Sequence, residues 1–162
     1  MASQDVAITR LTALDGAVLA EINREFGFGW DPTHAARFLR DPDNFLLVAT
    51  TDRRLSGVLY GYRLQRLDRR AADILLYSID VRERDRRQGV GRRLVEATKR
   101  WAAEIGSHEV WVVTDRANTA AVALYRSAGG VAEAPEAVTF VFPIPDQRGT
   151  PPNPISFPSG SR

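Results

Sequence analysis

Asp80-Val81-Arg82-Glu83-Arg84-Asp85-Arg86-Arg87-Gln88-Gly89-Val90-Gly91 joins an apolar, strand-like run to an amphipathic helix through a basic, glycine-spaced turn. Two glycines let the backbone approach a ligand closely. The following helix offers N–H groups and the positive end of its dipole, and the arginines add charge. Such a turn suits a pyrophosphate; taken alone, it also fits a tight strand-to-helix connection. It is not a dinucleotide fingerprint, because the third glycine is missing, and no Gly-Lys-Ser/Thr follows as a P-loop requires.

Outward from this turn, the chain alternates in a regular way. Val6 to Arg10 reads as a first strand. Val18, Leu19, Ile22 and Phe26 have helical spacing behind Asp15, a good N-cap, and Gly27 to Pro32 breaks that helix. A short second helix, capped by Asp31 or Thr33, runs through Leu39 and stops at Asp41-Pro42. Strands are expected over Phe45–Thr50, Leu55–Leu64 and Ala72–Val81, with hairpin turns at Asp52-Arg53-Arg54 and Asp68-Arg69-Arg70. After the glycine turn, Leu94, Val95, Thr98, Trp101, Ala102 and Ile105 line one face of a long helix ended by Gly106. Val110–Val113 is apolar on both faces and predicts a buried strand. Thr119–Ala128 predicts a helix closed by Gly129-Gly130, and Val138–Ile144 a last strand.

The bulk numbers bound the answer. At 162 residues, with 44% apolar and 26% charged residues, the chain has room for one domain with a real core. That domain is expected over residues 1–144. Six of the nine prolines fall in the last twenty residues, so 145–162 reads as a Pro/Gly/Ser-rich tail. The net charge is only +2, and the arginines gather around positions 82 to 100. A local basic patch fits a phosphate-bearing ligand or a nucleic acid. The interleaved basic and aromatic residues that single-stranded nucleic acid favours are not evident. The absence of cysteine excludes disulfides, a thiolate nucleophile and cysteine-ligated metal. Without a signal-like start or a long apolar run, a soluble cytoplasmic protein is expected, with no membrane partner.

A second stretch, Asn118-Thr119-Ala120-Ala121-Val122-Ala123-Leu124-Tyr125-Arg126-Ser127-Ala128-Gly129, sharpens the reading. By itself it is a capped helix with Leu124 packed and Tyr125 at its edge. Together with Arg86-x-x-Gly89-x-Gly91, it resembles the two conserved blocks of the GCN5-related N-acetyltransferase (GNAT) superfamily. The expected order β-α-α-β-β-β-α-β-α-β agrees with that fold, an α+β arrangement of helices around a mixed, mostly antiparallel sheet. The resemblance covers roughly Val6 to Ile144. It implies acetyl-CoA as co-substrate and no metal. It also implies that Arg86, Arg87, Gln88, Gly89, Val90 and Gly91 surround the pyrophosphate, and that Ile79 and Val81 present backbone to the pantetheine arm. Asn118 would contact the same cofactor, and Tyr125 would protonate the departing thiolate. A phenol, with a reference pKa near 10, keeps its proton at neutral pH and can do so.

Arg24-Glu25-Phe26-Gly27, Phe38-Leu39-Arg40, Arg86-Arg87-Gln88-Gly89, Ala121 to Tyr125, and Asp115 further resemble the aminoglycoside 3-N-acetyltransferases of the gentamicin type. Such an acceptor carries several ammonium groups, so carboxylates should line its site: Glu25, Asp31, Asp80, Glu83 and Asp115 are the candidates. Where that family has an aspartate, this chain has Ser78, with Asp80 two residues on. Alternate strand residues share a face, so Asp80 either restores that charge as the catalytic base or faces solvent, in which case a base acts through water or is supplied by Asp115. A different small amine, such as a polyamine or amino acid, or a protein amine, is the alternative acceptor. Pairing into a homodimer, as in many relatives, is carried over with the resemblance. Trp30, with Phe26 and Phe28, forms either an acceptor wall or core packing. His34 reads as a polar helix residue, Trp101 and Trp111 as core, and the remaining arginines of 82–100 as a solvated face.

Overall fold

A computed structural model describes residues 5–132 and 139–140. The chain divides into two compact units, Met1–Val113 and Thr114–Arg162. The first holds β1 (Val6–Leu11), α1 (Gly16–Phe26), α2 (Pro32–Arg40), β2 (Asn44–Thr51), β3 (Arg54–Leu64), β4 (Asp73–Val81), a 3-10 turn (Glu83–Asp85), α3 (Val90–Glu104) and β5 (Val110–Trp111). The second holds α4 (Thr119–Ser127). The order thus follows the sequence expectation through the second-last element. The final strand expected over 138–144 lies outside the described residues but for Thr139 and Phe140, as do the tail and its boundary.

One sheet runs β1-β2-β3-β4-β5, antiparallel except for the parallel pair β4–β5. The β2–β3 hairpin closes through Asp52 and Arg53, both left-handed at φ 50° and 64°, the hand that matches strand twist. In the longer β3–β4 connection, Arg66 forks between Asp68 (2.9 Å) and the buried Asp73 (2.7 Å).

Helices cover both faces of the sheet. On one, Phe45 meets Trp101 of α3 at 4.7 Å between centroids, and Gly57 lies under Leu94 and Val90. Gly61 is required there: a β-carbon would stand 2.1 Å from the Leu75 carbonyl oxygen and 2.7 Å from the Phe45 ring. On the other, Ile22 of α1 packs with Val48 and Leu55, flanked by Val18, Phe26 and Trp30. Burying an aliphatic side chain of this size is worth about 1.5–3 kcal/mol, which is what holds α1 against the sheet.

The strand expected over Val110–Val113 is shorter and less buried than its apolar sequence predicts. β5 pairs only through Val110 and Trp111, opposite Ile74 and Leu75. Trp111 and Val113 are exposed, so Trp111 is not a core residue, whereas Trp101 is half-buried against Phe45.

Candidate active site

The glycine turn leaves β4 through the 3-10 turn and reverses at two left-handed residues, Arg87 (φ 59°) and Gly89 (φ 83°). Open space surrounds the position of a Gly89 β-carbon. The first intrahelical bond of α3 runs from the Arg93 N–H to the Gly89 carbonyl, 3.0 Å. The N–H groups of Val90, Gly91 and Arg92 therefore have no acceptor within the helix. Asp15, Asp31 and Asn118 cap α1, α2 and α4 with their side chains, but no side chain caps α3. An uncapped N-terminus among guanidinium groups is a natural anion site. Two of the expected cofactor residues brace this turn: Arg86 Nε donates to the Val81 carbonyl (3.1 Å), and Gln88 Nε2 donates to the Arg84 carbonyl (2.7 Å).

β4 supplies a second feature. Its pairing with β5 involves only Ile74 and Leu75. From Tyr77 to Val81, β4 has β3 on one side and no strand on the other among the described residues. Backbone groups along that edge, at Ile79 and Val81, are suited to an extended amide-bearing arm.

A bulge sets the chemistry of the opposite face. Tyr60 is paired with Ser78 and Gly61 with Leu76, so Tyr77 is an extra residue on β4. Ser78 and Asp80 consequently share the face of Tyr60 and Val58, while Leu76 stands opposite Gly61. Ser78 Oγ donates to Asp80 Oδ2 at 3.4 Å. Burial raises the Asp80 carboxyl above the usual carboxylate value, against the opposing pull of Ser78 and Arg86. Tyr60 is pushed up to about 12, first by burial and then by Tyr62, Tyr77 and Asp80. Its hydroxyl remains a donor at physiological pH.

Aromatic rings surround this carboxylate's side of the sheet. Phe26, Phe28 and Trp30 stack at 5.5 and 4.7 Å, and Trp30 meets Tyr60 edge-on at 5.6 Å. Tyr77 lies 5.4 Å from Tyr60. The sequence pointed to Trp30, Phe26 and Phe28 but missed Tyr60, Tyr62 and Tyr77, which alternation on β3 and a bulge on β4 bring to the same place.

Two of the other acidic candidates, Glu25 and Asp31, are engaged within the protein. Glu25 Oε2 accepts from Arg82 Nη1 (3.1 Å), and Arg82 Nε donates to Asp85 (2.9 Å). The ion pair lowers the Glu25 pKa. Arg82, expected on a solvated face, is instead buried. Asp31 accepts the His34 N–H at 2.8 Å as the cap of α2. Glu83 is exposed on the 3-10 turn.

Within the second unit, Asn118 Oδ1 accepts the Ala121 N–H (3.1 Å), starting α4. Asp115 Oδ1 accepts the Ala117 N–H (2.7 Å), so this carboxylate shapes the turn before the helix. Tyr125 is half-buried, and its carbonyl takes the N–H groups of Ala128 and Gly130 that close α4. No cluster of three metal-ligating side chains occurs among the described residues.

Residues 16–129 match the Acetyltransferase (GNAT) family. No curated protein matches the chain. An aminoglycoside acetyltransferase, meta-AAC0020, from an uncultured soil metagenomic sample and in complex with trehalose, is similar in structure: TM-score 0.77, 26% identity, 86% of this chain and 96% of that one. The same enzyme in complex with sisomicin gives 0.77 at 25% identity over the same shares. The aminoglycoside N-acetyltransferase AAC(6')-Iy, with a bisubstrate analog of CoA and acetylneamine, shares the fold at 19% identity and TM-score 0.69, covering 86% of this chain and 99% of that one.

Proposed function

Because the chain belongs to the GNAT family of acetyltransferases, we propose that its acceptor is a primary amine of an aminoglycoside, the 3-amino group being the first position to examine. The protein is an acetyl-CoA-dependent N-acetyltransferase. One observation carries the reading: Arg87 and Gly89 turn the chain, in left-handed conformations, into the uncapped start of α3, and the half-buried Asp80 lies on the strand that leads into that turn. Likeness to an enzyme crystallised with sisomicin supports the acceptor class.

Bound acetyl-CoA supplies the thioester that the amine attacks. The N–H groups of Arg87 to Gly91 hold its diphosphate, and Arg86 and Gln88 keep that turn in shape. Ile79 and Val81 offer backbone to its amides, with Asn118 as a further contact. Asp80 binds the acceptor ammonium and takes its proton, directly or through water, which frees the nitrogen lone pair. Asp115 is the weaker candidate for that role, since its carboxylate is engaged by the Ala117 N–H. The Tyr125 phenol donates its proton to the leaving sulfur. The exposed Glu83 is available to a second ammonium.

A second reading, another small amine or a protein amine, is favoured by the engagement of Glu25 and Asp31 within the protein, which suits an acceptor of lower charge. Thiol release from acetyl-CoA across gentamicin, kanamycin, sisomicin, polyamines and amino acids tests both. Turnover with the antibiotics is expected. Turnover confined to amino acids would replace the first reading by the second.

A further inference from the structure

Trp30, Phe38, Tyr60 and Tyr62, with Leu14 and His34, enclose a cavity of about 140 Å³ between α2 and the sheet. Protein interiors close such spaces, because lining atoms without neighbours lose dispersion contacts. Here the four rings stay half-buried instead. They fix one another edge to face: Trp30–Tyr60 at 5.6 Å, Phe38–Tyr60 at 5.8 Å and Phe38–Tyr62 at 5.7 Å. The loop carrying Trp30 is clamped by Asn23, whose side chain donates to the Trp30 carbonyl (2.9 Å) and accepts its N–H (2.8 Å). The cavity is therefore held open by a built frame.

Tyr60 connects this cavity to the chemistry. It lines the space with one side and is the cross-strand partner of Ser78 with its backbone. Asp80, two residues on, is near enough for its charge to act on the Tyr60 hydroxyl. By the same register Asp73, opposite Leu64, also shares this face, but it is held by Arg66 at 2.7 Å, which leaves Asp80 as the strand carboxylate next to Ser78 and Tyr60.

We propose that the cavity bounded by Trp30, Phe38 and Tyr60 takes one saccharide ring of the acceptor, stacked by its C–H faces, with an ammonium of that ring directed to Asp80. The inference rests on the aminosugar reading above and deepens it. Hydroxyls of the sugar meet the phenols of Tyr60 and Tyr62, and its apolar faces meet Trp30 and Phe38. A linear polyamine offers the charge without the ring. Recognition then follows ring stacking more than the number of positive charges.

Steady-state kinetics on the full chain with acetyl-CoA test this, using an aminoglycoside, glucosamine and spermidine as acceptors. Trp30→Ala should raise KM for both ring amines by about tenfold, the scale of one lost stacking contact, with no matching rise for spermidine. Trp30→Phe should recover most of the loss. Because Trp30 also flanks the core, Phe38→Leu provides a second variant, and KM for acetyl-CoA reports an intact fold. Saturation transfer from the protein's aromatic protons should reach the sugar C–H protons and weaken in Trp30→Ala. Equal KM rises for glucosamine and spermidine, or saturation transfer indifferent to Trp30→Ala, would overturn the inference. If aminoglycosides are acetylated and Trp30→Ala leaves their KM unchanged, the cavity assignment fails while the aminosugar reading survives. If the wild type acetylates only ringless amines, both fail.

Discussion

Arg82 Nη1 lies 3.1 Å from Glu25 Oε2, tying the residue that leaves β4 to the last turn of α1. The same guanidinium holds Asp85 at 2.9 Å, at the end of the 3-10 turn that leads into the glycine turn. With the Arg82 side chain 8% exposed, this arginine is a strut between the ring-bearing segment and the glycine turn. Removing one partner of a buried pair leaves the others uncompensated. Arg82→Ala should cost about 3 kcal/mol of stability. Glu25→Gln, which keeps an acceptor oxygen at a partly exposed site, should cost distinctly less than Arg82→Ala. Thermal denaturation checks both. A Glu25→Gln variant that melts like wild type but loses acceptor affinity would return Glu25 to the substrate site.

Gly89 at φ 83° sits where a side chain is strained whatever the surrounding space. Gly89→Ala should cost about 1–2 kcal/mol and displace the N–H groups that follow. A severalfold rise in KM for acetyl-CoA is expected, with the acceptor KM much less affected. A rise confined to the acceptor would contradict the placement of the diphosphate.

Asp80 gives a prediction with a definite sign. Its pKa is raised in the fold, chiefly by burial, so the folded chain holds this proton more readily than the unfolded one. The resulting stability is present below the ordinary carboxylate pKa and is lost as pH rises through the raised value. Asp80→Asn should therefore melt above wild type at neutral pH, and the margin should close on acidification. The same variant lacks the proposed proton acceptor, so kcat/KM should fall by roughly a hundredfold and its acidic limb should disappear. Melting curves across pH, paired with pH–rate profiles, check both halves. A melting difference constant with pH would remove the buried-carboxylate account.

Tyr125→Phe should lower kcat by about a hundredfold while acetyl-CoA affinity stays near wild type. Rapid-quench and binding measurements separate the two. An unchanged chemical step would take Tyr125 out of the mechanism.

Much of this fold was legible because its signals are local. Asp15, Asp31 and Asn118 each cap a helix by accepting an N–H three residues ahead, and such a signal lies within one helical turn. The glycine turn was readable for the same reason, and strand alternation correctly put Ser78 and Asp80 on one face. What escaped was non-local. Arg82 looked like one more solvated arginine, since its partner Glu25 lies 57 positions away. The gathering of Trp30, Phe38, Tyr60 and Tyr77 depends on sheet pairing and on the Tyr77 bulge, which one-residue alternation cannot foresee. Val110–Val113 misled because apolarity alone suggests burial, whereas the strand leaves its partner after Trp111.

The turn from Arg86 to Gly91 is proposed to grip the diphosphate of acetyl-CoA. Isothermal titration of acetyl-CoA into the folded protein tests it most directly. Saturable, one-to-one heat is expected, weaker with added salt and diminished in Gly89→Ala. Absence of heat from well-folded wild-type protein would contradict it.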